Sequence, residues 1–321
     1  MNKVSFGIDT SNYATSFAVC GEDGEILVNS KKMLEVPGGA RGLRQSDAVF
    51  HHTANAEFIA EQISAFTKVN PECGICAVGC SVSPRDAEGS YMPCFLIGRA
   101  LASVIAASNS VPLYTFSHQA GHAAAALYGA GATNLIGKRF AAFHVSGGTT
   151  EVLLVTGGTD RLLCIEKIGG TKDLNAGQVI DRVGVEMGLA FPAGAEMERL
   201  AREYKGKIPK YPRAVHGLEC NLSGIENKAY ELYRTGGDKT LTAAFVINAV
   251  SDAISDLTDE LTRRYPDVPV LYSGGVMSCS LIKERLGGDG RFFSPPAFSS
   301  DNAAGIAYLT MMKHTSSAPE V

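Results

Sequence analysis

The residues of this chain best suited to chemistry are two histidines four apart, in His118-Gln119-Ala120-Gly121-His122. At i and i+4 on a helix their imidazoles share one face and can chelate one metal. A metalloprotease with this spacing carries Glu directly after the first histidine as its general base. Here the position is Gln119, which cannot take a proton, so protease chemistry is disfavoured. Asp301, in Ser299-Ser300-Asp301-Asn302, is the distant candidate for a third ligand. The same residue type in that place also reads as the cap of a final helix. Three strand ends run into loops of small residues: Gly7-Ile8-Asp9-Thr10-Ser11, Val145-Ser146-Gly147-Gly148-Thr149-Thr150 and Tyr272-Ser273-Gly274-Gly275-Val276. Small residues let backbone N–H groups approach an anion, and glycine permits the turn. The hydroxyls of Ser146, Thr149 and Thr150 would add bonds to phosphate oxygens. Asp9 would hold a phosphate-bound cation such as magnesium, usually through water, and it is the one candidate for a catalytic group.

Other reactive residue types read as structure. Cys73-x-x-Cys76 has half-site zinc spacing, but no second such pair follows and Cys80 sits in an apolar run, so core cysteines are expected. His51 and His52 are adjacent and point apart on a helix. His144, just ahead of the second glycine loop, reads as a supporting residue of that loop. Arg199, Arg202, Lys205, Lys207, Lys210 and Arg213 form a basic stretch that would suit RNA phosphates. Glu196, Glu198 and Glu203 are interleaved with it, which favours a solvated helix end.

The elements that must position these groups form a weak repeat. Val4 to Val19 reads strand, small polar loop, strand, followed by the turn Glu22-Asp23-Gly24-Glu25 and the run Ile26-Leu27-Val28. Phe140 to Val155 repeats the plan, with the turn at Gly157-Gly158-Thr159-Asp160 and the run Leu162 to Ile165. Between and after the hairpins, helical spacing is expected over Thr53–Thr67, Phe95–Ser108, Asp173–Gly188, Ala243–Arg264 and Asn302–Lys313. Asn175 is a candidate N-cap of the third of these, with Gln178 three residues on and Gly188 past its end. Strands are expected at Val111–Phe116 and Val268–Ser273, and His314–Val321 reads as a frayed end. Strands alternating with helices make the class α/β. The 321 residues, 45% of them hydrophobic, fit two lobes: 1–137, 138–297, and a closing segment 298–321. A net charge of −4 means that any nucleic-acid partner needs a local basic patch or a second protein. Eight cysteines, no leader and no apolar run of membrane length point to reduced thiols, no membrane and the cytoplasm.

The three loops and the hairpin repeat resemble the two-lobed actin/hexokinase/Hsp70-type (ASKHA) ATPase-like plan, in which two hairpins clamp phosphates and a later strand–Gly-Gly–helix unit holds adenosine. Neither a G-x-G-x-x-G nor a P-loop lysine supports an ordinary doubly wound sheet. More specifically, Gly-Ile-Asp-Thr-Ser, His-x-x-Gly-His, Val-Ser-Gly-Gly, Ala-Gly-x-x-x-Asp, Phe-Pro-Ala-Gly, Leu-Ser-Gly-Ile, Ser-Gly-Gly-Val and Ser-Asp-Asn-Ala-Ala occur in that order. This series, over roughly Val4 to Met312, resembles the TsaD/Gcp family of tRNA threonylcarbamoyladenosine transferases, formerly described as O-sialoglycoprotein endopeptidases. The resemblance implies transfer of a threonylcarbamoyl group from its adenylate to the exocyclic amine of the adenosine beside a tRNA anticodon. It implies a divalent metal, iron or zinc, on His118, His122 and Asp301, and a phosphate loop of Ser146, Gly147 and Gly148 with Thr149 beside it. It implies ribose contacts from Asp181, a nucleotide-side contact at Gly194, and an adenosine site at Gly274, Gly275 and Cys279. ATP or an adenylate is the implied ligand, and a related lobe protein or a second copy the implied partner. The sequence also departs from the family pattern. Thr-Ser-Cys-Asp-Glu-Thr becomes Thr10-Ser11-Asn12-Tyr13-Ala14-Thr15, and Gly-Gly-His-Thr becomes Gly147-Gly148-Thr149-Thr150. A family asparagine becomes Cys279, the lysine of Ser-Gly-Leu-Lys becomes Glu226, and Gly-Pro-Gly-Leu becomes Ser83-Pro84-Arg85-Asp86. Three readings therefore stand: an active transferase, a nucleotide- and metal-binding paralogue that acts as a scaffold, and a small-molecule kinase of the same fold.

Overall fold

The computed structural model describes residues 2–35, 43–158, 161–299 and 303–317. It divides into two compact units, one of residues 1–137, 157–165 and 297–321, the other of 138–156 and 166–296.

In the first unit, β1 (Asn2–Thr10), β2 (Ala14–Gly21) and β3 (Ile26–Met33) form an antiparallel meander. Gly24, at φ +83°, makes the turn between the last two. The chain then passes through α1 (Gln45–Ala54) and α2 (Ala56–Val69) to β4 (Cys73–Ser83), and through α3 (Phe95–Asn109) to β5 (Leu113–Ser117). Both later strands run parallel to β1, giving the order β3-β2-β1-β4-β5. Strand side chains alternate between faces. Val4, Phe6 and Ile8 of β1 join Phe17, Val19, Val78 and Cys80 in a core with Ile59 and Phe66 of α2 and Ala102 and Ala106 of α3. The opposite face meets α4 (His118–Gly129) and the last helix, α10 (Ala304–Ser317). There glycine is a packing requirement. A Cβ on Gly7 would lie 2.4 Å from Ala307 N, and one on Gly305 would lie 1.9 Å from Gly121 O.

The second unit repeats the topology. The hairpin of β6 (Phe140–Val145) and β7 (Thr150–Thr156) is followed by β8 (Cys164–Thr171). Helices α5 (Ala176–Glu186), α6 (Gly194–Glu203), α7 (Ser223–Gly236) and α8 (Lys239–Arg264) come next, with the two-residue pair β9 (Val215–His216) and β10 (Glu219–Cys220) before α7. Then come β11 (Val270–Ser273), α9 (Ser280–Leu286) and β12 (Arg291–Phe293). The sheet order β12-β11-β6-β7-β8-β10-β9 contains the same five-strand arrangement as the first unit, with β11 and β12 parallel to β6. Its core gathers Phe143 and Val145 with Val179, Ile180 and Val183 of α5 and the apolar side of α8.

Several expectations shift. The helix expected at Thr53–Thr67 is α2, which starts at Ala56 because Asn55 breaks the path at φ −85°, ψ 5°, and α1 precedes it unannounced. Strand β8 starts later than the apolar run 162–165 and continues through Glu166 and Lys167, where Lys167 Nζ pairs with Glu151 Oε1 at 3.0 Å. Instead of fraying at His314, α10 continues to Ser317, with Thr315, Ser316 and Ser317 hydroxyls donating to carbonyls one turn back. The turn residues Thr159 and Asp160 lie outside the described residues.

Candidate functional site

In the first unit the site starts where β5 becomes α4. Ser117 caps the helix, accepting from Ala120 N at 3.1 Å while its hydroxyl donates to Asp86 Oδ2 at 3.0 Å. The cap places His118 on the first turn and His122 on the second, with ring centroids 4.3 Å apart and planes nearly perpendicular. Gly121 between them lets Ile306 of α10 close onto the helix, since a Cβ there would meet Ile306 Cδ1 at 2.7 Å. Asp9, at the end of β1, is 1% exposed, and its Oδ1 lies 2.9 Å from His118 Nδ1. A nitrogen-donor pair with a carboxylate behind one imidazole is the chemistry a borderline divalent metal prefers, so the residues present fit the implied group. Among the described residues no set of three His, Cys, Asp or Glu side chains is grouped to hold a metal. Asp301 lies outside the described residues.

The loop that follows β1 is held by α1. His52 is fully buried, with Nδ1 2.8 Å from Thr15 Oγ1 and Nε2 2.7 Å from Ser11 O. A carbonyl only accepts, so Nε2 carries the proton and Nδ1 accepts from the Thr15 hydroxyl. Burial, the largest influence, lowers the His52 pKa below 6.5. In the same loop Asn12 accepts from Gln45 Nε2 at 2.6 Å, Tyr13 faces solvent and Ala14 is fully buried.

In the second unit the β6–β7 loop is tied by Ser146. Its Oγ accepts from Gly148 N at 3.2 Å and Thr149 N at 3.1 Å, which leaves its own proton to donate. Gly147 and Gly148 are exposed, and a Cβ on Gly148 would meet nothing within 4 Å. Helix α5 abuts this loop. Its first amides are already engaged, Ala176 N by Thr150 Oγ1 at 2.9 Å and Gly177 N by Ser146 O at 3.1 Å. The Thr150 hydroxyl, expected on phosphate, thus accepts from the start of α5. Asp181, two turns along α5, accepts from Ala193 N at 2.8 Å, and its Oδ2 lies beside Gly147. Ala193 precedes Gly194, which opens α6 and has free space at its Cβ position. At the end of β11, Gly274 has φ +98° and a Cβ there would lie 2.2 Å from Val145 O, while Gly275 is open. His144 Nδ1 sits 3.1 Å from Ser273 Oγ and so ties the two loop-bearing strands together. Ser146, Gly147, Gly148, Asp181, Gly194, Gly274 and Gly275 thus share one compact unit.

The chain as a whole is similar to known proteins. Residues 26–308 match the model of the family described as TsaD: tRNA N6-adenosine threonylcarbamoyltransferase. The chain belongs to the TsaD family. A TsaD-family relative of that name from Methanopyrus kandleri is 27% identical over 97% of this chain and 88% of its own length. One from Streptococcus pneumoniae is 29% identical over 94% and 90%. Among solved structures, T. kodakarensis HypF superposes with a TM-score of 0.57 at 15% identity, over 98% of this chain and 48% of that one. The component A of Acidaminococcus fermentans (R)-2-hydroxyglutaryl-CoA dehydratase gives 0.52 at 15%, over 97% and 99%. At these identities the structural likeness speaks for the fold alone, the ASKHA type.

The remaining sequence candidates of this TsaD-family chain lie on the helices and loops of the second unit. Cys279 is buried ahead of α9, and burial pushes its thiol up to about 11. Beside it Glu198 accepts from Ser280 N at 3.0 Å and from the Ser280 hydroxyl. Glu226 pairs with Arg182 at 3.6 Å and accepts from Tyr230. The arginines of the basic stretch are paired with acids: Arg199 with Glu196 and Glu203, Arg202 with Glu284, and Arg213 with Asp256. All eight cysteines are free thiols. No described helix is long and apolar enough to cross a membrane. Sequence reasoning missed His52 as a loop clamp and Glu198 as the cap of α9. Both act across tens of residues, with no local signature.

Proposed function

We propose that this protein transfers a threonylcarbamoyl group from threonylcarbamoyl-AMP to the exocyclic amine of the adenosine beside a tRNA anticodon, with AMP leaving. The observation that carries the proposal is the His118–His122 pair on the first two turns of α4, backed by Asp9, in a chain of this family. His118 and His122, with Asp301, would hold one iron or zinc ion. When bound, the metal supplies Lewis-acid polarisation of the acyl carbonyl. The Ser146 hydroxyl and the Gly147–Gly148 segment would receive phosphate oxygens, because the first amides of α5 are already engaged. Asp181 would take the ribose hydroxyls through Oδ2, its Oδ1 being held by Ala193 N. Gly194, Gly275 and Cys279 would line the adenosine, with Cys279 as a neutral thiol.

A second reading, a nucleotide-binding partner without turnover of its own, draws on one observation: Asn12, Tyr13 and Ala14 put no acid in the first loop, and Ala14 is buried. The test is elemental analysis and ATP calorimetry on the wild type and on His118→Ala, followed by a threonylcarbamoyl transfer assay. The expected result is about one metal per chain in the wild type, loss of most of it in the variant, and transfer to tRNA by the wild type alone. Metal and ATP binding without transfer establishes the partner reading. ATP binding with no metal in either protein makes the histidines structural and ends the transferase proposal.

A further inference from the structure

On the sheet of the first unit, the side chains that face α10 follow every second residue. On β1 they are Ser5, whose hydroxyl donates to Ala307 O at 2.8 Å, then Gly7 against Ala307, then Asp9. Asp9 pairs in register with Ser16 of β2. On β4, Ile8 pairs with Cys80, so the next step sets Ser81 beside Asp9. Ser16 shares its face with Ala18 and Cys20, which pack on α10, and Ser81 shares its face with Gly79, which meets Thr310. Ser16, Asp9 and Ser81 are therefore one row across three strands, all three fully buried or nearly so. Asp9 Oδ2, Ser16 Oγ and Ser81 Oγ are each buried without a hydrogen-bond partner among the described residues. Buried polar atoms are rarely left so, and three such oxygens on neighbouring strands offer the partners that internal water takes.

We infer that Asp9 is the positioning residue of His118, and that the Ser16–Asp9–Ser81 row is a binding site for internal water that completes its carboxylate. An ionised carboxylate only accepts. The 2.9 Å contact therefore places the imidazole proton on Nδ1 and leaves the Nε2 lone pair as the donor to a metal. Ser16 and Ser81, through the water, give Oδ2 the bonds that hold the carboxylate plane and with it the ring of His118. Asp9 thus acts through His118, its 2.9 Å partner. The metal half of this inference rests on the proposed function, while the tautomer half stands on the metal-free protein.

The experiment compares wild type, Asp9→Asn and Ser81→Ala. It uses nitrogen NMR of the His118 ring in metal-free protein at a pH where imidazole is neutral, together with competitive zinc titration. Asp9→Asn keeps the shape but offers either an oxygen or an amide to Nδ1. The expected result is a single Nδ1–H tautomer in wild type, a mixture of tautomers in Asp9→Asn, and zinc binding weaker by about 10–100-fold there. Ser81→Ala, which keeps the carboxylate, is expected to shift both readouts a few-fold in the same direction. An Nε2–H tautomer in wild type, or an Asp9→Asn protein with unchanged tautomer and zinc affinity, overturns the inference. If wild type binds no zinc or iron, the proposed function fails, and the metal-free tautomer still decides the role of Asp9.

Discussion

His52 shows what a single buried imidazole does for this fold. Its two ring nitrogens join the Thr15 hydroxyl and the Ser11 carbonyl, so the ring is neutral in the native state, and burial lowers its pKa below 6.5. A base with a depressed folded pKa binds fewer protons folded than unfolded. Its contribution to stability is complete above pH 6.5 and is lost as the pH falls through and below that value. Urea midpoints are expected to fall between pH 7.5 and 5.5, and His52→Gln is expected to flatten part of that slope. An unchanged slope in the variant would assign the acid sensitivity to other groups. From the sequence, His51 and His52 were legible only as neighbours that point apart, because helix geometry separates adjacent residues. That one of them grips a loop some forty residues earlier was not legible. The Asp9–His118 contact has the same character: it joins a strand end and a helix start 109 positions apart, and only the parallel crossover brings them together. The glycine loops and the histidine spacing were readable because their chemistry is local.

Among the elements, α5 does most to shape the proposed nucleotide site, and it was also the most readable. Asn175 precedes it, the Gln178 carboxamide accepts from Asn175 N at 3.1 Å, and Gly188 follows it at φ +80°. These are stop and start signals that act within one turn. Its fit against the β6–β7 loop is less visible. A Cβ on Gly177 would lie 2.5 Å from Gly147 N and 2.6 Å from Ser146 C, both backbone atoms. Gly177→Ala must therefore push the loop away from the helix. The expected cost is about 1–3 kcal/mol of stability with a clear loss of ATP affinity, read by denaturation and calorimetry on the same sample. Retained ATP affinity would mean that the loop is not the phosphate site. The elements that sequence patterning placed poorly failed for physical reasons. Strand β8 carries Glu166 and Lys167 on an exposed stretch, and the apolar-run criterion passes over it. The break between α1 and α2 lies at Asn55, whose carboxamide donates to Thr15 Oγ1 at 3.2 Å, a long-range tie that overrides helical propensity.

At the scale of the molecule, the duplication was legible because both copies keep the same hairpin punctuation and both sheets realise the same strand order. The surface on which α10 rests was not, because it depends on glycines that only make sense opposite their partners. Gly7 is the sharpest case: a methyl group added there would lie 2.4 Å from Ala307 N and 2.8 Å from Ala303 O. Gly7→Ala is expected to lift α10 from β1 and lower stability by about 1–3 kcal/mol or more, seen as a lower melting temperature and faster proteolysis near residues 303–317. A variant that melts like the wild type would show that α10 is not seated on β1 as described.

The position of α10 in the chain has a consequence for how the protein is made. Helix α10 closes over Ala18 and Cys20 of β2 with Ala303, Ala304, Ala307 and Met311, all buried. On the ribosome β1, β2 and β4 emerge first, and the whole of the second unit is synthesised before α10 can reach them. At about 5–20 residues per second, that interval is on the order of ten seconds, during which the part of the nascent sheet that α10 covers is exposed. The first unit is therefore the last to be completed, and the growing chain offers a prolonged target to co-translational chaperones.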